Sequence, residues 1–585
     1  MFDTIIKGGT IVDGLGGEPY VGDVAFQDGV IAKIGGSIDE PAQETLNAVG
    51  AIVTPGWVDV HTHYDGQVSW DTALSPSSDN GVTTVVMGNC GVGFAPVKPG
   101  EEKTLIELME GVEDIPGTAL YEGIEWGQWE SFPEYMDYIA AREYAIDVAA
   151  QIPHGAVRYY VMGERGRQNE DATATDIEAM AEIVGEAVEA GAVGFSTSRT
   201  IGHRSLWGTP VPGTFAPEEE LQAIADAMGR LGKGVFELIP AGTVGKLEAL
   251  GGEKNTPQQE HRMMRNISAK SGRPITFTLV ENQEYEPELW RKTLAMVEEA
   301  NDNGAQLHPQ VPSRLIGFLT GLSSYHPFMR KPTYLDKLAK LPLNERVEAM
   351  RSPDVKAALL SEKPIRHEAP GSMENISGQL GRGAAVLYPL HDPVDYEAGE
   401  EKMIGSLAKA EDREPLEYLY DFMLEDGGKR FCSLSAANLP KGMDVLRELL
   451  EHSETVTGLS DAGAHVTLIC DATMPTTQLS YWARDRKKGQ RLPLEYLVHK
   501  QTARNAALYG FGDRGSLEVG KRADINVIDF DNLSVASPVA YEDLPAGGTR
   551  VMQPVSGYIA TYCNGTKIRE NDSDTGARPG RLARS

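Results

Sequence analysis

The sequence predicts an α/β protein built around a (β/α)8 TIM barrel, and three observations support this prediction. Short apolar segments alternate with amphipathic, helix-like segments through the middle of the chain. Eight such apolar segments can be counted, which is the number of strands that closes a barrel of this kind. The first fifty residues and the region after residue 515 instead have the pattern of short strands joined by tight turns.

The elements follow in chain order. The N-terminal segment alternates apolar and polar residues around Gly-Gly and Asp-Gly turns, and the C-terminal region repeats this pattern with a hairpin turn at Asn564-Gly565. Between them, the residues after Thr173 have apolar side chains at helical spacing, and that helix is expected to end near Gly191. The predicted barrel strands are 51–61, 82–90, 145–154, 192–197, 234–240, 274–281, 305–311 and 455–461.

These elements predict a division of the chain into three parts. Residues 1–54 and 511–585 are the two β-like ends of the chain, and residues 55–510 form the barrel. Two connections, near 97–142 and 317–428, are too long for simple loops. Segments of that length are usually lids or inserted subdomains.

Composition limits the partners of this protein. The 85 acidic residues outnumber the 54 basic ones and give a formal net charge of −31, so nucleic acid and anionic membrane surfaces are poor partners. The four cysteines show no pairing or metal-ribbon spacing, and no apolar run is long enough to cross a bilayer. We therefore expect a cytoplasmic protein that acts on a small molecule, with self-association into a homo-oligomer left open.

The most informative motif is His61-Thr62-His63, which ends an apolar strand. Residues two apart on a strand point to the same face, so both imidazoles can reach one ion. The carboxyl ends of barrel strands are also where the active sites of such barrels lie. We predict that His61 and His63 bind a metal ion.

Two further residues stand where the second and eighth strands should end. Cys90 lies in a glycine-rich turn, and a thiolate there would suit zinc, although buried cysteines are often inert. Asp461 could bind the metal and act as general acid and base. The alternative for Asp461 is a turn residue before Gly463. His465, four residues further on, is a candidate to contact the metal ligands without binding the metal itself.

Three acidic or histidine residues in other strands are weaker candidates. Glu237 is an acid within the apolar fifth strand, where a metal ion would be a suitable partner, unless the side chain faces an outer helix. Glu281 is a similar residue at the end of the sixth strand. His154 ends the third strand and is expected to face the barrel mouth, as a substrate-binding residue.

Basic residues follow the fourth strand. Arg199 and His203 could hold a carboxylate or carbonyl group of the substrate. The alternative is a loop that arginine hydrogen bonds stabilise.

These motifs together resemble one family. The segments PGWVDVHTHYDGQVSWD, GVTTVVMGNCG, IPHGAVRYYVMG, GAVGFSTS and LSDAGAH are similar to the D-aminoacylase (N-acyl-D-amino-acid deacylase) branch of the amidohydrolase superfamily. The resemblance extends through TARNAALYGFGDRGSLEVGKRADINVID. It implies a barrel with a small β-sandwich domain made from both chain ends, zinc, and hydrolysis of an amide. It also implies that His61, His63 and Cys90 bind metal and that Asp461 is the acid and base.

The sequence departs from the family pattern at three places. The family has ligand histidines at the ends of the fifth and sixth strands, but the corresponding segments here are VFELIPAG and TFTLVENQ. A His-Pro-Arg sequence, whose arginine binds the substrate carboxylate in the family, is replaced by DATMPTTQLSYWAR. Glu237 stands where the fifth-strand histidine is expected, and it is the predicted replacement ligand.

The predicted function is therefore metal-dependent hydrolysis of a small amide, most simply an N-acyl amino acid, with one or two zinc ions or another divalent metal. A cyclic amide, an imide or a lactone is the alternative substrate within the superfamily. A barrel that has lost hydrolysis and serves as a binding protein is the alternative from another class. Retention of His61, His63, Cys90 and Asp461 together favours the enzyme.

Overall fold

The computed structural model describes residues 1–281, 284–285, 288–435 and 443–585. Its centre is an eight-stranded parallel sheet in which the strands neighbour one another in chain order. Each strand lies within a predicted segment or ends one residue beyond it, so the predicted barrel is confirmed. The barrel strands are Trp57–Asp59, Val82–Met87, Asp147–Pro153, Gly194–Ser198, Val235–Ile239, Ile275–Thr278, Leu307–Val311 and Val456–Thr457.

The first and eighth strands meet through contacts at both ends of the barrel. At the carboxyl end, the backbone N–H of His63 donates to the carbonyl of Ala462 at 2.8 Å. At the opposite end, the Asn505 side-chain amide donates to the carbonyls of Val58 and Thr457 at 2.8 and 2.9 Å. The side-chain amide of Asn505 thus links the first and eighth strands, which share few backbone hydrogen bonds.

Helices surround the barrel, and their sequences explain where they begin. Thr173 caps the helix Ala174–Glu189 in a capping box with Asp176, which satisfies backbone N–H groups that the helix leaves free. The face of that helix that includes Met180 and Val184 is buried. The helices around the barrel are His154–Met162, Glu164–Arg167, Ala174–Glu189, Glu218–Leu231, Pro257–Ser271, Leu289–Asp302, Asp444–Glu451, Met474–Leu479, Leu494–His499 and Asn505–Leu508.

The two chain ends form one hydrogen-bonded sheet, as predicted. The strand Ile52–Pro55 connects the halves, since it pairs with the first strand of the chain and with Ile525–Ile528. The predicted segment 51–61 is therefore divided between two sheets, and a side chain at Gly56, between them, would meet Thr83 at 2.3 Å. The strands of this sheet are Phe2–Ile11, Tyr20–Gln27, Val30–Ile34, Ala42–Asn47, Ile52–Pro55, Ile525–Ile528, Tyr558–Cys563, Thr566–Glu570 and Ser573–Asp574.

Both long connections contain structure of their own. The first contains the helices Glu102–Glu113, Gly117–Gly123 and Phe132–Ala140. The second has a separate apolar core around Phe328, Tyr420 and Met423. Its elements are the strands Gly317–Thr320, Tyr388–Pro389 and Cys432–Ser435 and the helices Pro332–Lys337, Leu343–Met350, Pro353–Ser361, Ser377–Arg382, Ile404–Ala410 and Pro415–Leu424.

The C-terminal region adds two small ladders and a tail that packs on the barrel. The strands Val539–Leu544 and Gly548–Met552 form a hairpin, and Ser534–Val535 pairs with Val555–Ser556. Leu582 forms a β-bridge with Val148 of the third barrel strand. Gly580 in the same tail forms a β-bridge with Tyr144, so the tail lies along the third barrel strand. In the described part of the chain, the helices are too short or too polar to span a bilayer.

Candidate metal centre

His61, His63 and Cys90 converge at the carboxyl end of the barrel. The side-chain donor atoms of these three residues all lie within 4.8 Å of one another. The Cys90 Sγ is 3.5 Å from His61 Nε2 and 3.9 Å from His63 Nε2. All three residues are buried. Two imidazole nitrogens and a thiol in this arrangement form a donor set that suits zinc.

Asp461 completes the group from the last strand. Its Oδ1 lies 3.4 Å from His61 Nε2 and 3.7 Å from His63 Nε2. The Asp461 backbone N–H donates to the carbonyl of His61 at 3.2 Å, so the strand closure itself places this carboxylate beside the histidines. The side chain is 16% exposed, more than the two histidines. It can therefore be reached from the barrel mouth.

The backbone is strained where Cys90 and Asp461 enter the site. Both are non-glycine residues with left-handed φ values, 58° and 48° respectively. Gly91 follows Cys90 and packs so closely that a side chain there would lie 2.9 Å from the backbone of Ser198. Strained φ values of this kind cost about 1–3 kcal/mol each and cluster at functional sites. The turns redirect both side chains towards the histidines.

Glu237 points into the barrel from the fifth strand. Its neighbours Phe236 and Leu238 pack in the apolar core, and strand alternation places Glu237 on the opposite face. Its Oε2 accepts from the Cys90 backbone N–H at 3.2 Å. Its Oε1 is buried and has no hydrogen-bond partner among the described residues. An unpartnered carboxylate oxygen here fits a nearby cation.

Two residues that were not predicted from the sequence face the Nδ1 atoms of His61 and His63. Gln310 Oε1, in the seventh strand, lies 2.7 Å from His61 Nδ1 and orients that ring. Glu113 Oε1, at the end of an inserted helix, lies 3.5 Å from His63 Nδ1. A signal for Glu113 existed, because it shares the buried face of its helix with Leu105 and Met109. An acid on an apolar helical face requires a partner.

The protonation equilibria of these groups follow from burial. Burial lowers the pKa of His61 to about 4 and that of His63 to about 3, so both rings are neutral at pH 7. Burial also raises the pKa values of Cys90, Glu113 and Glu237 well above their usual range. A divalent cation would supply the missing positive charge and favour the thiolate and the carboxylates. The residues present therefore fit a metal ion.

Two further histidines face the same group. Burial lowers the pKa of His203 to about 3. His203 also lies close enough to His61, His63 and His465 that a positive charge on any of these rings would lower its pKa further. Its Nδ1 is 3.0 Å from the Ser198 hydroxyl. His465 Nε2 lies 3.5 Å from Glu113 Oε2. The structure thus brings His203 and His465 to the cluster.

The structure corrects the expected positions of His154 and Arg199. His154 begins a helix and packs against the outer helices, with its ring nitrogens 2.9 Å from Thr197 Oγ1 and from Glu220 Oε1. The Arg199 Nε donates to both oxygens of Glu260, and its Nη1 donates to a backbone carbonyl at 2.9 Å. Both side chains are therefore engaged in buried contacts within the protein and not directed at the metal centre.

A family model described as "Amidohydrolase family" matches residues 44–568 of this chain. The chain belongs to the amidohydrolase family. The predicted resemblance and the predicted barrel are confirmed. The family also supports the predicted enzyme class, hydrolases of carbon–nitrogen bonds other than peptide bonds.

This amidohydrolase is similar to two curated deacylases along most of its length. It is 26% identical to a D-aminoacylase of Alcaligenes xylosoxydans xylosoxydans over 587 residues, covering 99% of this chain and 97% of that protein. It is 25% identical to an N-acyl-D-glutamate deacylase of the same organism, covering 91% and 88% of the two chains.

Solved structures confirm the architecture of the amidohydrolase. A crystal structure of D-aminoacylase superposes with a TM-score of 0.65 at 20% identity, covering 100% of both chains. An N-acyl-D-glutamate deacylase from Bordetella bronchiseptica, complexed with zinc and a phosphonate inhibitor, superposes with a TM-score of 0.63 at 22% identity, again over 100% of both chains. A binuclear metal centre is described for D-aminoacylase, in a structure that superposes with a TM-score of 0.64 at 21% identity.

Proposed function

We propose that this amidohydrolase uses a divalent metal ion to hydrolyse the amide bond of a small N-acyl compound. Zinc is the leading candidate for the metal, and N-acyl amino acids are the leading substrate class. One observation carries the proposal. His61, His63 and Cys90 meet at the carboxyl end of the barrel, beside the unpartnered Glu237 oxygen and the Asp461 carboxylate. The deacylase relatives support the choice of N-acyl substrates.

The proposed ligands come from four strands of the barrel. His61, His63 and Asp461 follow the first and eighth strands, Cys90 follows the second, and Glu237 lies within the fifth. These five residues would hold one or two ions. Such an ion supplies Lewis acidity and lowers the pKa of water towards about 7.

Asp461 is the proposed proton carrier. Its Oδ1 is directed towards the two histidines, and the side chain remains partly accessible from the mouth. In the proposed reaction, Oδ1 accepts a proton from the attacking water and delivers it to the leaving nitrogen of the amide. The strained backbone at this residue holds the carboxylate in that place.

His203 is the proposed substrate-binding residue. It follows the fourth strand, and Ser198 holds its Nδ1, which fixes the orientation of the ring. From this position the ring can contact a carbonyl or carboxylate of a substrate bound above the metal centre. Arg199 and His154 remain proposed only as residues that position this side of the mouth.

A second candidate substrate class is a cyclic amide, an imide or a lactone. The observation that favours it is the burial of Arg199, which is 4% exposed and paired with Glu260. The guanidinium predicted to bind a substrate carboxylate is thus engaged within the protein. A substrate without a free carboxylate would not require it.

A substrate panel tests the proposal. The zinc-loaded enzyme should release amine from at least one of the N-acetyl and N-formyl derivatives of the D- and L-amino acids, measured by an amine-specific reagent. Hydantoins, dihydropyrimidines and lactones form the comparison set. Turnover confined to that set would replace the proposal by the second candidate, and binding of zinc without any turnover would favour a binding protein.

A further inference from the structure

The inserted helix Glu102–Glu113 ends with its last residue beside the metal centre. Glu113 is 1% exposed, and its two oxygens face two different histidines. Its Oε1 lies 3.5 Å from His63 Nδ1, and its Oε2 lies 3.5 Å from His465 Nε2. The carboxylate also interacts with the Cys90 thiol. One side chain from an insertion thus contacts two of the proposed ligands.

The facing atoms lack other partners. Within the described ranges, neither His63 Nδ1 nor Glu113 Oε1 has a hydrogen bond, although both atoms are buried. His61 differs, because Gln310 holds its Nδ1 at 2.7 Å. A metal-binding histidine usually donates its second N–H to a carboxylate or carbonyl group. For His63, Glu113 is the group in that position.

The backbone around Glu113 is held independently of its side chain. A side chain at Gly111 would meet the backbone of Arg204 and Leu206 at 2.3 Å, so the helix lies directly against that loop. The His465 N–H donates to the Glu113 carbonyl. Asp114, which ends the helix in a left-handed conformation, accepts from the Tyr325 hydroxyl. Removal of the carboxylate should therefore leave the helix in place.

We propose that Glu113 is a positioning residue of the metal centre, which accepts a hydrogen bond from His63 Nδ1 and so directs the Nε2 lone pair towards the ion. The inference rests on the proposed metal centre and assigns a function to the first insertion. In this proposal, Oε1 of Glu113 interacts with His63, and Oε2 of Glu113 interacts with His465. The insertion thereby contributes to metal affinity without supplying a ligand.

Metal titration of matched variants tests this role. The purified wild type, Glu113→Ala, Glu113→Gln and the control Glu107→Ala are stripped by a chelator and titrated with zinc against a competing indicator. Glu107 lies on the same helix and pairs only with exposed Lys103 among the ion pairs of the described residues. The cobalt-substituted proteins are then compared by absorption spectroscopy, which reports on the ligands themselves. Circular dichroism checks the fold.

Glu113→Ala is expected to lower zinc affinity by about 10–100-fold, the usual effect of losing such a supporting group. Glu113→Gln should lose less, because its amide oxygen can still accept from His63 Nδ1, and it should keep the wild-type cobalt spectrum. Glu107→Ala should match the wild type. Should Glu113→Ala fail to fold, Glu113→Leu takes its place, because it keeps the side-chain bulk but cannot accept from His63 Nδ1, and an unchanged zinc affinity in it overturns the proposal.

Two other results also overturn it. Wild-type zinc affinity in folded Glu113→Ala would mean that the carboxylate does not support His63. Equal losses in Glu113→Gln and Glu113→Ala, with a changed cobalt spectrum, would make Glu113 a ligand. A wild type that binds neither zinc nor cobalt would instead contradict the proposed function itself, so the two failures can be told apart.

Discussion

Two buried clusters of histidine and carboxylate lie at the carboxyl end of the barrel, and they differ in whether their carboxylate oxygens have hydrogen-bond partners. In the outer cluster, Glu220 Oε1 is 2.9 Å from both His154 Nε2 and Arg158 Nε. The second nitrogen of His154 is also hydrogen-bonded. In the metal centre, Oε1 of Glu113 and Oε1 of Glu237 have no partner in the described part of the chain.

This difference distinguishes a cluster whose carboxylate is already paired with a cation from the proposed metal centre, whose carboxylates are not. A buried polar group without a hydrogen bond is costly, so proteins seldom keep one without a reason. The outer cluster contains its own counter-charge in Arg158, which pairs with both oxygens of Glu220. The buried atom of Arg158 that has no hydrogen-bond partner among the described residues, Nη1, belongs to a cation and so offers no site for a metal ion. The inner cluster combines neutral histidines with acids and contains no cation among its described members, which is the condition that a metal ion would relieve.

The largest expected effect comes from the first-strand histidines. Replacing both His61 and His63 by Ala should remove the metal and reduce activity to background, because each contributes one nitrogen to the same ion. Elemental analysis and circular dichroism measure the metal content and the fold. His452→Ala, on the outside of the barrel, is the control. Unchanged metal content in a folded double variant would contradict the site.

The next effect concerns the proton carrier. Asp461→Asn should lower turnover by roughly 10²–10⁴-fold, because the amide cannot carry the proton in either direction. Steady-state rates on the best substrate of the panel give the measurement. Turnover close to that of the wild type, with the metal retained, would show that another group carries the proton.

Glu237 is expected to affect the metal and its pH dependence. Burial raises the pKa values of Glu237 and Cys90, so both are protonated without metal and must lose protons when an ion binds. Zinc affinity should therefore rise with pH. Glu237→Gln should weaken binding by more than about tenfold and release about one proton fewer at pH 7.

Calorimetry in two buffers of different ionisation enthalpy counts the released protons. The exposed Glu248→Gln serves as the matched control for loss of an acid. If Glu237→Gln binds zinc with the wild-type affinity and proton release, the acid is structural, and the fifth strand does not contribute to the centre.

The outer cluster should have the smallest effect on the metal. Glu220→Ala leaves His154 and Arg158 buried without their partner, and it should destabilise the metal-free protein by about 3–5 kcal/mol. Zinc stoichiometry at low temperature should not change. Urea unfolding and metal analysis test the two statements separately. Loss of zinc at unchanged stability would contradict the purely structural interpretation of the outer cluster.

Much of the fold could be predicted from local patterns. Each barrel strand lies in a predicted segment or ends one residue beyond it, and a helix follows Thr173 as its apolar spacing predicts. The division of 51–61 between two sheets could not be predicted. It depends on the contact of Gly56 with Thr83, which are distant until the small sheet and the barrel pack together.

The site could be predicted where spacing along one strand determines the geometry. His61 and His63 share a face because strand residues alternate, and the structure places their rings 5.4 Å apart. The orientation of His154 was not predictable in this way, because the strand ends at Pro153 and a helix begins at the next residue. That change of backbone conformation directs the ring away from the mouth.

The sequence by itself determined the barrel and the strand ends that carry the proposed ligands, because these follow from periodicity and from the order of elements. The pairing of the chain ends was implied by the family resemblance. Only the tertiary structure decided that Glu237 faces inward beside Cys90 and that Glu113 reaches His63 from an insertion. The reason is physical: such contacts join residues far apart in the chain, and their geometry exists only once the helices and strands have packed.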